Sequence, residues 1–163
     1  CQSGPVEALF ILTPDQWLEH TISPHRLALI LRTLDQLSND LAELGIPLKI
    51  VKSDSYDSSI NVVVKSAKAI GASNVFFNDE IALNETRRDN EVIAALLRNG
   101  IACETFNAFT CLKPGSVRKP DGTAYSVFTP FKRKWLSVLT EVGLDLLPPP
   151  PYFNSFTRAD IVV

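Results

Sequence analysis

The densest run of chemically capable side chains lies between residues 78 and 89, where Asn78, Asp79, Glu80, Asn84, Glu85, Thr86, Arg87, Arg88 and Asp89 share twelve positions. Read by residue type, Asn84 suits a helix N-cap, because its side-chain oxygen can accept a first-turn N–H. Glu85 suits the first turn itself, where the helix dipole favours a carboxylate. Arg88 and Asp89 suit capping and local ion pairing. His20 and His25 are the two histidines, too few for an ordinary metal centre, and His20 reads first as a surface or loop residue.

A second candidate is the stretch in which Lys113, Arg118, Lys119, Lys132, Arg133 and Lys134 alternate with Tyr125, Phe128, Phe131 and Trp135. It invites a nucleic-acid reading. The better reading puts the aromatics into a core, or a seam with a following domain, and leaves the charges on a solvated face. No G-x-G-x-x-G, Walker-type loop or G-x-S-x-G elbow occurs, and no cysteine has an evident histidine partner, so self-contained catalysis and the usual dinucleotide or triphosphate sites are disfavoured.

These side chains need a scaffold. The 163 residues, 45% of them hydrophobic, suffice for one compact domain and a tail. A formal charge of -2 and a sequence pI near 5.7 oppose a free-standing module that grips a nucleic-acid backbone. Cys1, Cys103 and Cys111 form neither a disulfide framework nor a zinc ribbon, which points to a reducing, cytoplasmic setting. No apolar run reaches a membrane-spanning length. Methionine is absent, so the chain is expected to be a piece of a larger protein.

Short apolar runs at residues 6–12, 47–52, 74–78 and 102–106 predict four strands. Between them, Leu27, Ile30, Leu31, Leu34, Leu37, Leu41 and Leu44, then Ile60, Val63, Val64, Ala67 and Ile70, then Val92, Ile93, Leu96 and Leu97, recur at helical spacing. Gly45, Gly71 and Gly100 stop these three helices. The alternation predicts an α/β fold, a doubly wound, mostly parallel sheet with helices on both faces. Thr129-Pro130 opens a last helix through Trp135 and Leu139, and residues 148–151 form an extended linker. Residues 1–147 are thus the expected domain, with 148–163 as connection.

The loop after the third strand carries N-E-x-x-R-D as Asn84, Glu85, Arg88 and Asp89, and residues 125–131 read Y-S-V-F-T-P-F, followed by Lys132 and Trp135. With T-P-x-Q-W as Thr13, Pro14, Gln16 and Trp17, and Ser23-Pro24, these stretches resemble the N-terminal domain of the DNA photolyase and cryptochrome family, from Val6 to about Leu139. The likeness is strongest to bacterial cyclobutane-dimer photolyases with a folate antenna. It implies a Rossmann-like domain that binds 5,10-methenyltetrahydrofolate through Asn84 and Glu85, with His20 as a further contact. The carboxylate would accept adjacent N–H groups of the pterin edge, fixing position and ring orientation together.

The resemblance also implies a C-terminal helical domain that binds FAD and meets damaged DNA. This fragment would then hold the antenna and not repair DNA by itself. The family's opening strand is missing from the chain, so exposed sheet edges would be left, open to self-association. A cryptochrome light-signalling protein, or a nucleotide-binding regulatory α/β domain related only by fold, are the alternatives.

Overall fold

A computed structural model describes residues 4–144 and 148. The first strand, β1 (Ala8–Leu12), leads into a short helix, α1 (Pro14–Glu19), and a long one, α2 (Pro24–Glu43). Then come β2 (Leu48–Lys52), α3 (Tyr56–Ala69), β3 (Asn74–Asn78), α4 (Leu83–Arg98), β4 (Ala102–Phe106) and α5 (Phe128–Val142). All four strands stand where the apolar runs predict them. The helix α1 is additional: Thr13-Pro14 ends a strand, but it also supplies an N-cap residue followed by a proline whose φ suits the first turn. The linker at 149–151 and the tail to residue 163 lie outside the described residues.

The described residues divide into two compact units, one up to Ala72 and one from Ser73. In the first, β1 and β2 pair in parallel with Ala8 opposite Leu48 and Phe10 opposite Ile50. The core is Leu34 of α2 with Leu48 and Ile50, and Ala8, Phe10, Leu12, Ile30 and Leu41 pack against it. Three leucines at that same helical spacing do not face inward. Leu27, Leu31 and Leu37 are exposed, because only the stripe through Ile30, Leu34 and Leu41 meets the sheet.

In the second unit β3 and β4 pair in parallel, with Asn74 opposite Ala102 and Asn78 opposite Phe106. Val92, Ala95 and Leu96 of α4 are buried, Leu96 completely, and α4 packs on β4. Burial alternates along both strands, so one face carries half-buried Val75, Phe77, Cys103 and Thr105. The other exposes Phe76 and Phe106, whose rings stack at 6.4 Å. The α/β architecture of parallel strands and crossover helices is therefore present. Among the described residues its strands form two two-stranded sheets, β1 with β2 and β3 with β4, where a single sheet was expected.

Helices α1 to α4 end in one and the same way. In α4 the N–H of Gly100 donates to Leu97 O and that of Ile101 to Leu96 O, a Schellman closure, and Gly45 and Gly71 occupy the equivalent place after α2 and α3. After α1 that place is held by Thr21, at φ 51°, with Thr21 N–H to Leu18 O and Ile22 N–H to Trp17 O. A β-branched residue is strained in this left-handed region by about 1–2 kcal/mol. Thr21→Gly is expected to raise stability by up to about 1 kcal/mol, the gain being reduced by glycine's greater freedom in the unfolded chain. A higher urea midpoint at unchanged m-value is the expected readout; an unchanged or lower midpoint would show that the strain at Thr21 does not exceed the cost of glycine's freedom in the unfolded chain.

Candidate functional site

Past the carboxyl end of β3, the chain turns through residues 79–82 into α4, and hydrogen bonds from three directions hold the backbone of that turn. Asp79 N–H donates to Phe106 O at 2.8 Å, which extends the ladder one step beyond the strands. Glu80 is held at both ends of its backbone. Its N–H donates to Asp89 Oδ2 at 3.1 Å, and its carbonyl accepts from Thr86 Oγ1 at 3.1 Å. The other oxygen of Asp89, Oδ1, accepts from Arg88 Nε at 3.0 Å and Arg88 Nη2 at 2.6 Å. Asp89 is thus a buried carboxylate with both oxygens occupied, the condition under which such burial is tolerated.

Asn84 does not cap α4. The N-cap is Ala82, which offers no side-chain acceptor, so Asn84 and Glu85 occupy the second and third helical positions. Asn84 is exposed and Glu85 half-buried. Glu85, Asp89, Val92 and Leu96 follow one another at helical spacing, so Glu85 begins the stripe that α4 buries. The sequence pair is therefore one exposed amide beside one half-buried carboxylate on a first turn, where the helix dipole favours the negative charge. His20 is exposed at the C-cap of α1 and lies in the first unit, whereas Asn84 and Glu85 lie in the second.

By residue type Asp89 suits ordinary ion pairing, and nothing in the sequence assigns Thr86 or Glu80 a role. No local signal marks the pair, because the separation of Asp89 from Glu80 is too long for any local pairing rule. Sequence reading likewise passed over Ser53, Ser55 and Ser58 at the head of α3. Ser55 Oγ accepts from Ser58 N–H at 3.1 Å, Ser58 Oγ accepts from Ser55 N–H at 3.0 Å, and Ser53 Oγ lies 2.6 Å from Ser58 Oγ. This is a reciprocal capping box that leaves its donors satisfied from within the protein. In the same unit Gln16 Oε1 is buried without a hydrogen-bond partner among the described residues.

In the basic and aromatic stretch, Tyr125 and Phe131 pack edge to face at 6.1 Å, but Phe128 is 71% exposed. Arg118 is occupied within its own turn, donating through Nε to Gly115 O and through Nη1 to Gly122 O. Of the cysteines, Cys111 is exposed and Cys103 half-buried, its thiol pushed up by desolvation. Cys1 lies outside the described residues. No helix among the described residues is long and apolar enough to cross a membrane.

Fold and site together define a parallel α/β domain whose polar residues gather beyond the carboxyl end of a strand, where such sheets take ligands. The chain belongs to the DNA photolyase family, whose sequence model matches residues 1–152. It is 40% identical to the deoxyribodipyrimidine photo-lyase of Escherichia coli over 85% of this chain and 29% of that protein. It is 37% identical to that of Vibrio cholerae over 82% of this chain and 29% of that one. Cryptochrome-1 of Arabidopsis thaliana is 34% identical over 91% of this chain and 21% of its own length. The class III photolyase of Agrobacterium tumefaciens shares the fold, with a TM-score of 0.60 at 21% identity, over 80% of this chain and 26% of that one. The chain spans about three tenths of the length of these photo-lyase relatives. Family membership corrects the alternative of a regulatory domain related only by fold.

The turn at Asp121 yields a pH prediction. Hydrogen bonds from the Thr123 hydroxyl at 2.7 Å and the Thr123 N–H at 2.9 Å hold the Asp121 carboxyl below the ordinary aspartate value. A depressed folded-state value means the contribution to stability is present above the unfolded value and is lost as pH falls through the folded one. Thr123→Val is expected to raise the Asp121 midpoint followed by carboxyl NMR. An unmoved midpoint would assign the depression to something other than the hydroxyl.

Proposed function

We propose that this chain is the antenna-chromophore-binding part of a deoxyribodipyrimidine photolyase, a carbon-carbon lyase that repairs pyrimidine dimers in DNA under blue or near-UV light. The reading is supported by family membership and by the photo-lyase relatives. The observation that carries the antenna role is the head of α4. Asn84 is released from capping by Ala82, so its amide is exposed beside the half-buried carboxylate of Glu85.

That donor and acceptor set fits 5,10-methenyltetrahydrofolate. The Glu85 carboxylate accepts from adjacent pterin N–H groups, and the Asn84 amide offers both a donor and an acceptor to the ring edge. When bound, the folate supplies light absorption in the near UV. The chain supplies placement: its side chains stand on a helix, and a helix lets a planar group be held at one angle as well as at one point. His20 is carried as a further contact on resemblance alone. FAD, the electron-transfer chemistry and damaged DNA belong to a C-terminal helical domain of the same protein, so repair is not expected from residues 1–163 alone. The outer edges of β1 and β3 are places where a further strand can pair, from the rest of the protein or from a second copy.

A cryptochrome is the second reading, favoured by the 34% identity to Cryptochrome-1 over 91% of the chain. Repair of a dimer-containing oligonucleotide under blue light by the full-length protein separates the two, since the signalling reading expects none.

In the full-length protein, Glu85→Ala is expected to weaken folate binding by roughly 10- to 100-fold, the equivalent of a charged hydrogen bond of about 1.5–3 kcal/mol. Glu85→Gln, which keeps one acceptor oxygen, should fall between. Equal affinity in all three proteins, measured by fluorescence titration, would remove Glu85 from the site.

A further inference from the structure

The head of α4 presents a physical problem that Asp89 and Thr86 solve. Asn84 and Glu85 sit in a first turn whose N-cap, Ala82, provides no side-chain acceptor. A first turn without a side-chain cap frays readily. Recognition by a first turn needs that turn held. The holding groups lie one turn further on. Thr86 and Asp89 are three residues apart, hence neighbours on the helix surface, and they take the carbonyl and the N–H of the same residue, Glu80.

Glu80 belongs to the short connection that Asp79 N–H already ties to the end of β4 through Phe106 O. The helix head is therefore joined to the sheet by a continuous path: β4 carbonyl, Asp79, Glu80, Asp89. Asp89 is itself immobilised, being buried and bridged by two of the Arg88 nitrogens, Nε and Nη2. A fork of two donors on one oxygen leaves the other aimed at the Glu80 N–H.

We propose that Asp89 is a positioning residue for the Asn84 and Glu85 pair. It clamps the Glu80 backbone together with Thr86 and so fixes where the first turn of α4 begins and how it is directed. The inference rests on the folate reading of that pair. The clamp touches no ligand. It acts by keeping two recognition groups in the geometry that a rigid planar ring requires, a requirement that small displacements defeat.

The test uses the full-length protein, 5,10-methenyltetrahydrofolate as the probe, and amide hydrogen exchange. Asp89→Ala is expected to accelerate exchange of the Glu80 N–H, to leave the Val92 and Leu96 amides protected, and to weaken folate binding about tenfold. Asp89→Asn keeps an oxygen for the Glu80 N–H and is expected to restore most of the affinity. Thr86→Val, which removes only the carbonyl partner, should give a smaller loss of affinity. Undiminished binding in Asp89→Ala, with Glu80 exchanging fast and Glu85→Ala still impaired, would overturn the clamp and leave the site reading standing. Loss of binding together with loss of protection at Val92 and Leu96 in both Asp89 variants would also overturn it, making Asp89 a residue of the fold alone. If instead Glu85→Ala binds as well as wild type, the site reading itself fails, and the clamp loses its purpose whatever Glu80 does.

Discussion

Parallel strands cannot be joined by a hairpin, so each strand pair here exists only because a helix carries the chain back. That return imposes two demands at once. The helix must bury an apolar stripe on the sheet it has left, and it must stop where the next strand has to begin. In the first unit the stripe is Ile30, Leu34 and Leu41 against Leu48 and Ile50. In the second it is Val92, Ala95 and Leu96 of the helix that packs on β4. The stop is a single left-handed residue whose N–H, with that of its successor, returns to the last turn. Leu96 shows the economy of the arrangement, since the residue that accepts from Ile101 N–H is also, among the described residues, a fully buried side chain.

The same demands decide where polar chemistry can stand. A stripe that is apolar through its middle has to give way to polar residues at its sheet-mouth end, where backbone groups of the turn need partners. Asp89 occupies that transition, one turn before Val92 and one turn after Glu85. Burying its charge is costly, and the cost is offset because Arg88 and the Glu80 N–H use both oxygens. Breaking one partner would leave the other charge poorly solvated, so the group of three is cooperative in a way that an exposed pair is not.

Much of this was legible from residue spacing. Strands at 74–78 and 102–106, and the glycine stops of three helices, follow from apolar runs and punctuation, which are local signals. What was missed was non-local or double-meaning. Thr13-Pro14 both ends a strand and starts a helix, and Thr21 does a glycine's work after that helix. Leu27, Leu31 and Leu37 share the helical spacing of their buried neighbours, but spacing alone does not say how wide a stripe the sheet can cover. Asn84 looked like a cap because Asn favours that role, whereas the helix starts two residues earlier at Ala82 without one. The link from Asp89 to Glu80 spans the turn and the first helical turns together, a separation at which no periodicity rule operates.

A single chain that resembles proteins of two different names bears on where their difference must lie. The match to Cryptochrome-1 covers 91% of this chain at 34% identity, and the match to the Escherichia coli photo-lyase covers 85% at 40%. The shared part is therefore nearly all of this chain, but only 21% of one relative and 29% of the other. A domain that places a ligand is suited to being common property, because placement depends on helix heads and strand ends that the fold supplies in any case. On the proposed antenna reading, whatever divides a repair enzyme from a signalling protein would be sought outside the shared length. On the same reading, the carboxylate and amide at the head of α4 would be part of what such proteins hold in common: they would position a group and take no part in what is done with the energy it delivers.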